Sequence, residues 1–104
     1  MAKVNVDAGI CGFSTTITAT SEEMGKVELE FESECPNIQK VSKDSFSINV
    51  FNVLSQKPHE TEIYKALSEH LPHTTCPLYS AFFKAAEVEA GMALPKDVQI
   101  KIEK

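Results

Sequence analysis

The chain has 104 residues, 42% of them hydrophobic and 24% charged, with a formal net charge of -5. That length and balance suit one globular domain spanning 1–104. The ten basic residues are scattered singly, which argues against both the basic stripe of a nucleic-acid binder and the polybasic patch of a membrane-surface protein.

The N-terminal residues carry no basic-then-apolar leader, and no apolar run approaches membrane-spanning length. Three cysteines cannot complete a disulfide framework within one chain, and separated intracellular cysteines serve as core residues, metal ligands or redox centres. A cytoplasmic location is expected.

Val4, Val6 and Ala8 alternate with polar neighbours, so a strand is expected near 3–8. Gly9 and Cys11-Gly12 interrupt it. Alternation resumes near 13–21, with Thr15, Ile17 and Ala19 on one face and Thr16, Thr18 and Thr20 on the other. Glu22 to Gly25 reads as a four-residue turn ending in glycine. A strand near 26–33 follows, Val27, Leu29 and Phe31 facing in and Glu28, Glu30 and Glu32 facing out. With residues 22 and 25 flanking the turn, cross-strand partners have numbers summing to about 47. Cys11 then lies opposite Pro36, and a one-residue slip sets it opposite Cys35.

Cys35-Pro36 ends that strand and opens a short helix carrying Ile38 and Val41. The run from Asp44 to Leu54 fits two patterns: Phe46, Val50, Val53 and Leu54 suit a helix capped by Asp44, whereas Phe46, Ile48 and Val50 suit a strand. Helix is the expectation, because the run is long for a strand. Pro58 starts a further helix with Ile63, Ala66, Leu67 and Leu71 inward, stopped by Pro72. The best-marked helix follows Cys76-Pro77, its stripe formed by Leu78, Ala81, Phe82, Ala85, Val88 and Met92. Gly91 supplies its left-handed stop and Pro95 prevents continuation. Val98, Ile100 and Ile102 then alternate with Gln99 and Lys101, predicting a closing strand over 97–103. The order of elements predicts an α+β domain, a small and mostly antiparallel sheet covered by helices on one face.

Two cysteines stand at helix starts, and a third faces one of them across a hairpin. Unpaired N–H groups at a helix start favour thiolate, the form that binds metal or attacks electrophiles. Cys11, Cys35 and Cys76 are therefore candidate metal ligands, with His73, three residues before Cys76, as a candidate fourth. The plain alternatives are buried core thiols, a Cys11–Cys35 disulfide, and a solvated His73. No Cys-x-x-Cys is present. Lys84 and Glu87, one turn apart, read as a surface pair, or as a place for an anion if that flank is covered. No Ser/His/Asp set, paired carboxylates or phosphate-cradling loop is visible. Binding is expected ahead of catalysis, and whether the protein is an enzyme stays open.

Two resemblances rest on these residues. The block Cys76-Pro77-Leu78, the run from Lys84 through Gly91 and Pro95 to Val98, Cys11-Gly12-Phe13 and Cys35-Pro36 together resemble a small uncharacterised family from anaerobic archaea and bacteria. More distantly, Cys-Gly entering a strand, a cysteine after the next strand and a third opening a late helix resemble the U-type iron–sulfur cluster assembly scaffolds. That second likeness implies an α+β fold, a [2Fe–2S] cluster or zinc held by Cys11, Cys35 and Cys76, and a protein partner in sulfur or metal handling. In the scaffolds Asp stands at the place of Phe13, Gly at that of Pro36, and the histidine directly precedes the third cysteine. The expected function is metal or iron–sulfur binding through three cysteines. The alternatives are a sulfur or thiol-redox protein using Cys76, and a non-catalytic interaction domain with structural cysteines.

Overall fold

A computed structural model describes residues 1–41 and 46–104. Four strands form one antiparallel sheet in the order β1-β2-β3-β4: β1 Ala2–Asp7, β2 Ser14–Glu23, β3 Lys26–Ser33 and β4 Ser47–Asn49. Helices α1 Pro36–Gln39, α2 Val50–Ser55, α3 Glu62–Ser68 and α4 Leu78–Glu89 accompany it. The α+β class with helices against a small antiparallel sheet is as expected. No described helix is long and apolar enough to cross a membrane.

Alternation along the strands decides which face the helices cover. Ile17, Ala19, Val27, Leu29, Phe31 and Ile48 are buried beneath the helices, while Glu28, Glu30 and Glu32 stay exposed on the far side. Three aromatic rings join the layers. Phe31 meets Phe46 and Phe82 edge-on at 5.3 and 5.4 Å, and Phe46 stacks on Phe82 at 5.2 Å. Such pairs add specific geometry to the area they bury.

The hairpin differs from expectation in its turn. β2 continues to Glu23, which pairs with Lys26, so Met24 and Gly25 alone make the connection. Between Thr20 and Glu23 the register shifts. The result is Thr15 opposite Ser33 and Thr20 opposite Glu28, one residue from the expected pairing. The shift runs in the direction that separates Cys11 from Cys35 along the ladder. An extra residue in one strand does this, and alternation cannot reveal it.

The segment expected as a helix over 44–54 divides. Ser47–Asn49 is a strand paired with Lys26–Glu28, and the helix begins only at Val50. Both patterns are used in turn: Phe46, Ile48 and Val50 are buried alternately, then Val50 and Val53 at helical spacing. The cap is Asn49, whose Oδ1 accepts the N–H groups of Phe51 at 3.0 Å and Asn52 at 3.4 Å; Asp44, the expected cap, lies outside the described residues. Likewise Pro58 opens a single 3-10 turn, and α3 proper is capped by buried Thr61, whose Oγ1 donates to the Pro58 carbonyl and accepts from the Tyr64 N–H.

The strand expected over 97–103 does not form. Residues 94–104 are exposed and unpaired. Alternation specifies a face, but a strand exists only where an edge pairs with it. Gly91, at φ 75°, does end α4 as expected: the Met92 N–H reaches back to the Glu87 carbonyl at 2.9 Å, the left-handed stop that a glycine makes without steric cost.

Candidate functional site

Three chain segments meet at one end of the sheet. β1 finishes at Asp7 and enters a 3-10 turn, Gly9–Cys11, closed by a Gly12 N–H to Gly9 carbonyl bond of 2.9 Å. β3 finishes at Ser33, opposite the start of β2. α4 packs along β1 with its last residue, Glu89, 3.1 Å from the Met1 ammonium at the start of β1, and Cys76 ahead of it feels Cys11 past the end of β1, so the helix runs antiparallel to β1. Its 12 residues span about 18 Å, close to the roughly 20 Å covered by the six residues of β1. The start of α4 is therefore carried to the end of β1. Cys11, Cys35 and Cys76 each lie on one of these three segments.

Cys35 is held by its neighbours. Its N–H donates to Ser33 Oγ at 3.0 Å, and Ser33 Oγ lies 2.6 Å from the hydroxyl of buried Thr15. Either of these two hydroxyls can donate to the other. Beside it the Glu34 N–H donates to the Ser14 carbonyl at 3.1 Å, and the Ser14 N–H donates to Glu34 Oε1 at 3.0 Å. This bracket ties the end of β3 to the start of β2. Neither Thr15, Ser33 nor Glu34 stands out in the sequence, since their roles depend on the cross-strand register. Cys35 caps α1 without a side-chain hydrogen bond.

Cys76 is half-buried just ahead of α4, its N–H bonded to the His73 carbonyl at 3.3 Å. The expectation of a favoured thiolate at the helix start is corrected here. Burial pushes the Cys76 thiol above its ordinary range; the Leu78 N–H at the helix start pulls it down but is outweighed. Cys11 and Cys35 push it further up, which places both within reach of its charge. Tyr79, the second residue of α4, is raised by burial, by Tyr64 and by Cys76. Desolvation disfavours a lone thiolate more than a single N–H stabilises it.

All three cysteines are free, so the Cys11–Cys35 disulfide is absent. Cys11 is exposed, whereas Cys35 and Cys76 are half-buried. His73 is exposed in the loop before Cys76. Among the described residues, no three His, Cys, Asp or Glu side chains are arranged to hold an ion. The fold gathers the thiols at one end yet stops short of a coordination sphere. Lys84 and Glu87 form the surface pair, Nζ to Oε1 at 2.9 Å, beside an open cleft of about 290 Å³ lined also by Leu54, Pro58, Thr61 and Phe83. They lie along α4, away from its cysteine end.

No curated protein and no solved structure matches the chain. A family model does match, over residues 2–102, and that span includes all three cysteines, the sheet and α4. The chain belongs to DUF6951, a family of unknown function.

Proposed function

We propose that the three-cysteine end of the sheet binds a thiophilic metal, as zinc or a [2Fe–2S] cluster, with Cys11, Cys35 and Cys76 as thiolate ligands and His73 as the fourth. What supports this reading is that Cys11, Cys35 and Cys76 lie on segments that reach the same end of the sheet, with Cys11 and Cys35 close enough to act on the charge of Cys76. Soft sulfur donors select zinc, copper(I) and iron–sulfur clusters over hard cations. Burial, and after it the charge of Cys11 and Cys35, raises Cys76; a bound cation offsets that charge, and coordination deprotonates a thiol outright. Closing the site asks for an inward adjustment of the sulfurs. The thiol-redox alternative at Cys76 needs a lowered pKa, opposite to the direction found.

The distant likeness to the iron–sulfur scaffolds supports the same three ligands, and a partner in sulfur or metal handling goes with it. The test is anaerobic purification followed by metal and acid-labile sulfide analysis. The expected result is about one zinc, or one two-iron cluster, per chain, lost in a Cys11→Ser/Cys35→Ser/Cys76→Ser variant. Substoichiometric metal, unchanged in that variant, would overturn the proposal.

A further inference from the structure

Val98, Ile100 and Ile102 are 64, 74 and 90% exposed, although they alternate with polar residues as one face of a half-buried strand does. The same molecule leaves a sheet edge open. β1 ends the strand order, and its outer side pairs with no strand among the described residues. Its inward residues show the effect. Val4 and Ala2 are only half-buried, whereas their β2 partners Ile17 and Ala19 are completely buried. Exposed edges of this kind are templates for strand addition.

We propose that the 97–103 segment adds as a fifth strand to the β1 edge of a second copy, giving a strand-exchanged dimer. Antiparallel addition extends the existing antiparallel sheet, and antiparallel pairs are the commoner kind. One antiparallel register places Val4 opposite Ile102, Val6 opposite Ile100 and Ala8 opposite Val98, so the apolar faces coincide. It also sets Lys3 opposite Glu103, and Asn5 and Asp7 opposite Lys101 and Gln99. Opposite charges placed this way stabilise a pair. The chain's own tail cannot adopt this register. α4 ends beside Met1, so its tail has to travel the roughly 20 Å of β1 and reverse before Val98. Six residues, 92–97 with Pro95 among them, reach about 20 Å when fully extended, leaving none for the reversal. In a twofold dimer the exchange is reciprocal, and one interface covers both open edges and both apolar segments.

The experiment is light scattering coupled to size exclusion on the full chain, from micromolar to near-millimolar concentration. A mass rising to twice the 11.5 kDa chain mass is expected. Ile100→Asp, at a site exposed in the single chain, should weaken dimerisation about 10- to 100-fold. Lys3→Glu should weaken it up to about fivefold, and adding Glu103→Lys should restore it. A chain that stays monomeric throughout overturns the proposal, as does a dimer indifferent to Ile100→Asp. Failure of Glu103→Lys to rescue overturns the register. Hydrogen exchange supplies a separate check. A parallel register, with Lys3 beside Asp97 and Asp7 beside Lys101, is within reach of the chain's own tail. Concentration-independent protection of 97–103 in a monomer means that arrangement and refutes the second copy.

Discussion

Gly25 shows how much one residue can decide. It occupies φ 83°, and a Cβ there would meet the Phe51 ring at 2.6 Å. Its carbonyl also accepts the Val50 N–H at 2.8 Å, tying the hairpin turn to the start of α2. Left-handed backbone costs a residue with a side chain about 1–2 kcal/mol. The Phe51 ring is largely exposed, so it can swing aside and adds less than a clash in the core. Gly25→Ala should therefore lower unfolding free energy by about 1–2 kcal/mol, measured by urea denaturation with unchanged slope. Substitution of Gly12, with open space around it but the same sign of φ, provides a control for the backbone effect alone.

At the scale of elements, the sheet and α4 are joined by Phe31, Phe46 and Phe82. Phe82 is wholly buried and touches both other rings, so its loss leaves a cavity between two layers that cannot collapse without moving α4. Phe82→Ala should destabilise by about 3–5 kcal/mol, the range for deleting a buried aromatic ring, read as a lower denaturation midpoint. Loss below about 1 kcal/mol, well under that range, would show that α4 is not held as described. Most of this level was legible in the sequence. The strands of the hairpin, the stripe of α4 over Leu78, Ala81, Phe82 and Ala85, its stop at Gly91 and the helix opened by Cys35-Pro36 all follow from local periodicity and capping chemistry; Met92, expected to continue that stripe, lies past the stop and is exposed. The 44–54 run was not, because Phe46, Ile48, Val50 and Val53 satisfy period two and then helical spacing, and only pairing with β3 decides where one gives way to the other.

The whole molecule decides the chemistry of the cysteines. Cys76 is raised first by burial and then by Cys11 and Cys35, all tertiary effects. A thiol raised in the folded state stabilises the protein fully below its unfolded pKa. That contribution is lost as pH rises from about 8.5 through the higher folded value. The metal-free protein should accordingly lose stability on the alkaline side, and Cys76→Ala should flatten that loss. The pH profile of Cys76 alkylation should also move to lower pH in a Cys11→Ser/Cys35→Ser variant. An unmoved profile would mean that the sulfurs do not sense one another.

Residue order by itself determined the α+β class, the buried face of each long strand, the opening of α1 at Cys35-Pro36 and the stop of α4 at Gly91, because these depend on steric and hydrophobic preferences acting within a few residues. It pointed to Cys11 and Cys35 through a hairpin register that the structure shifts by one residue, in the direction that separates them along the ladder. Their approach to Cys76 comes instead from α4 running back along β1, with Glu89 beside Met1. Only the tertiary structure decided that, together with the rise of the Cys76 thiol and the exposure of 97–103. Each depends on which surfaces meet, and a local pattern specifies the face to be covered without naming what covers it.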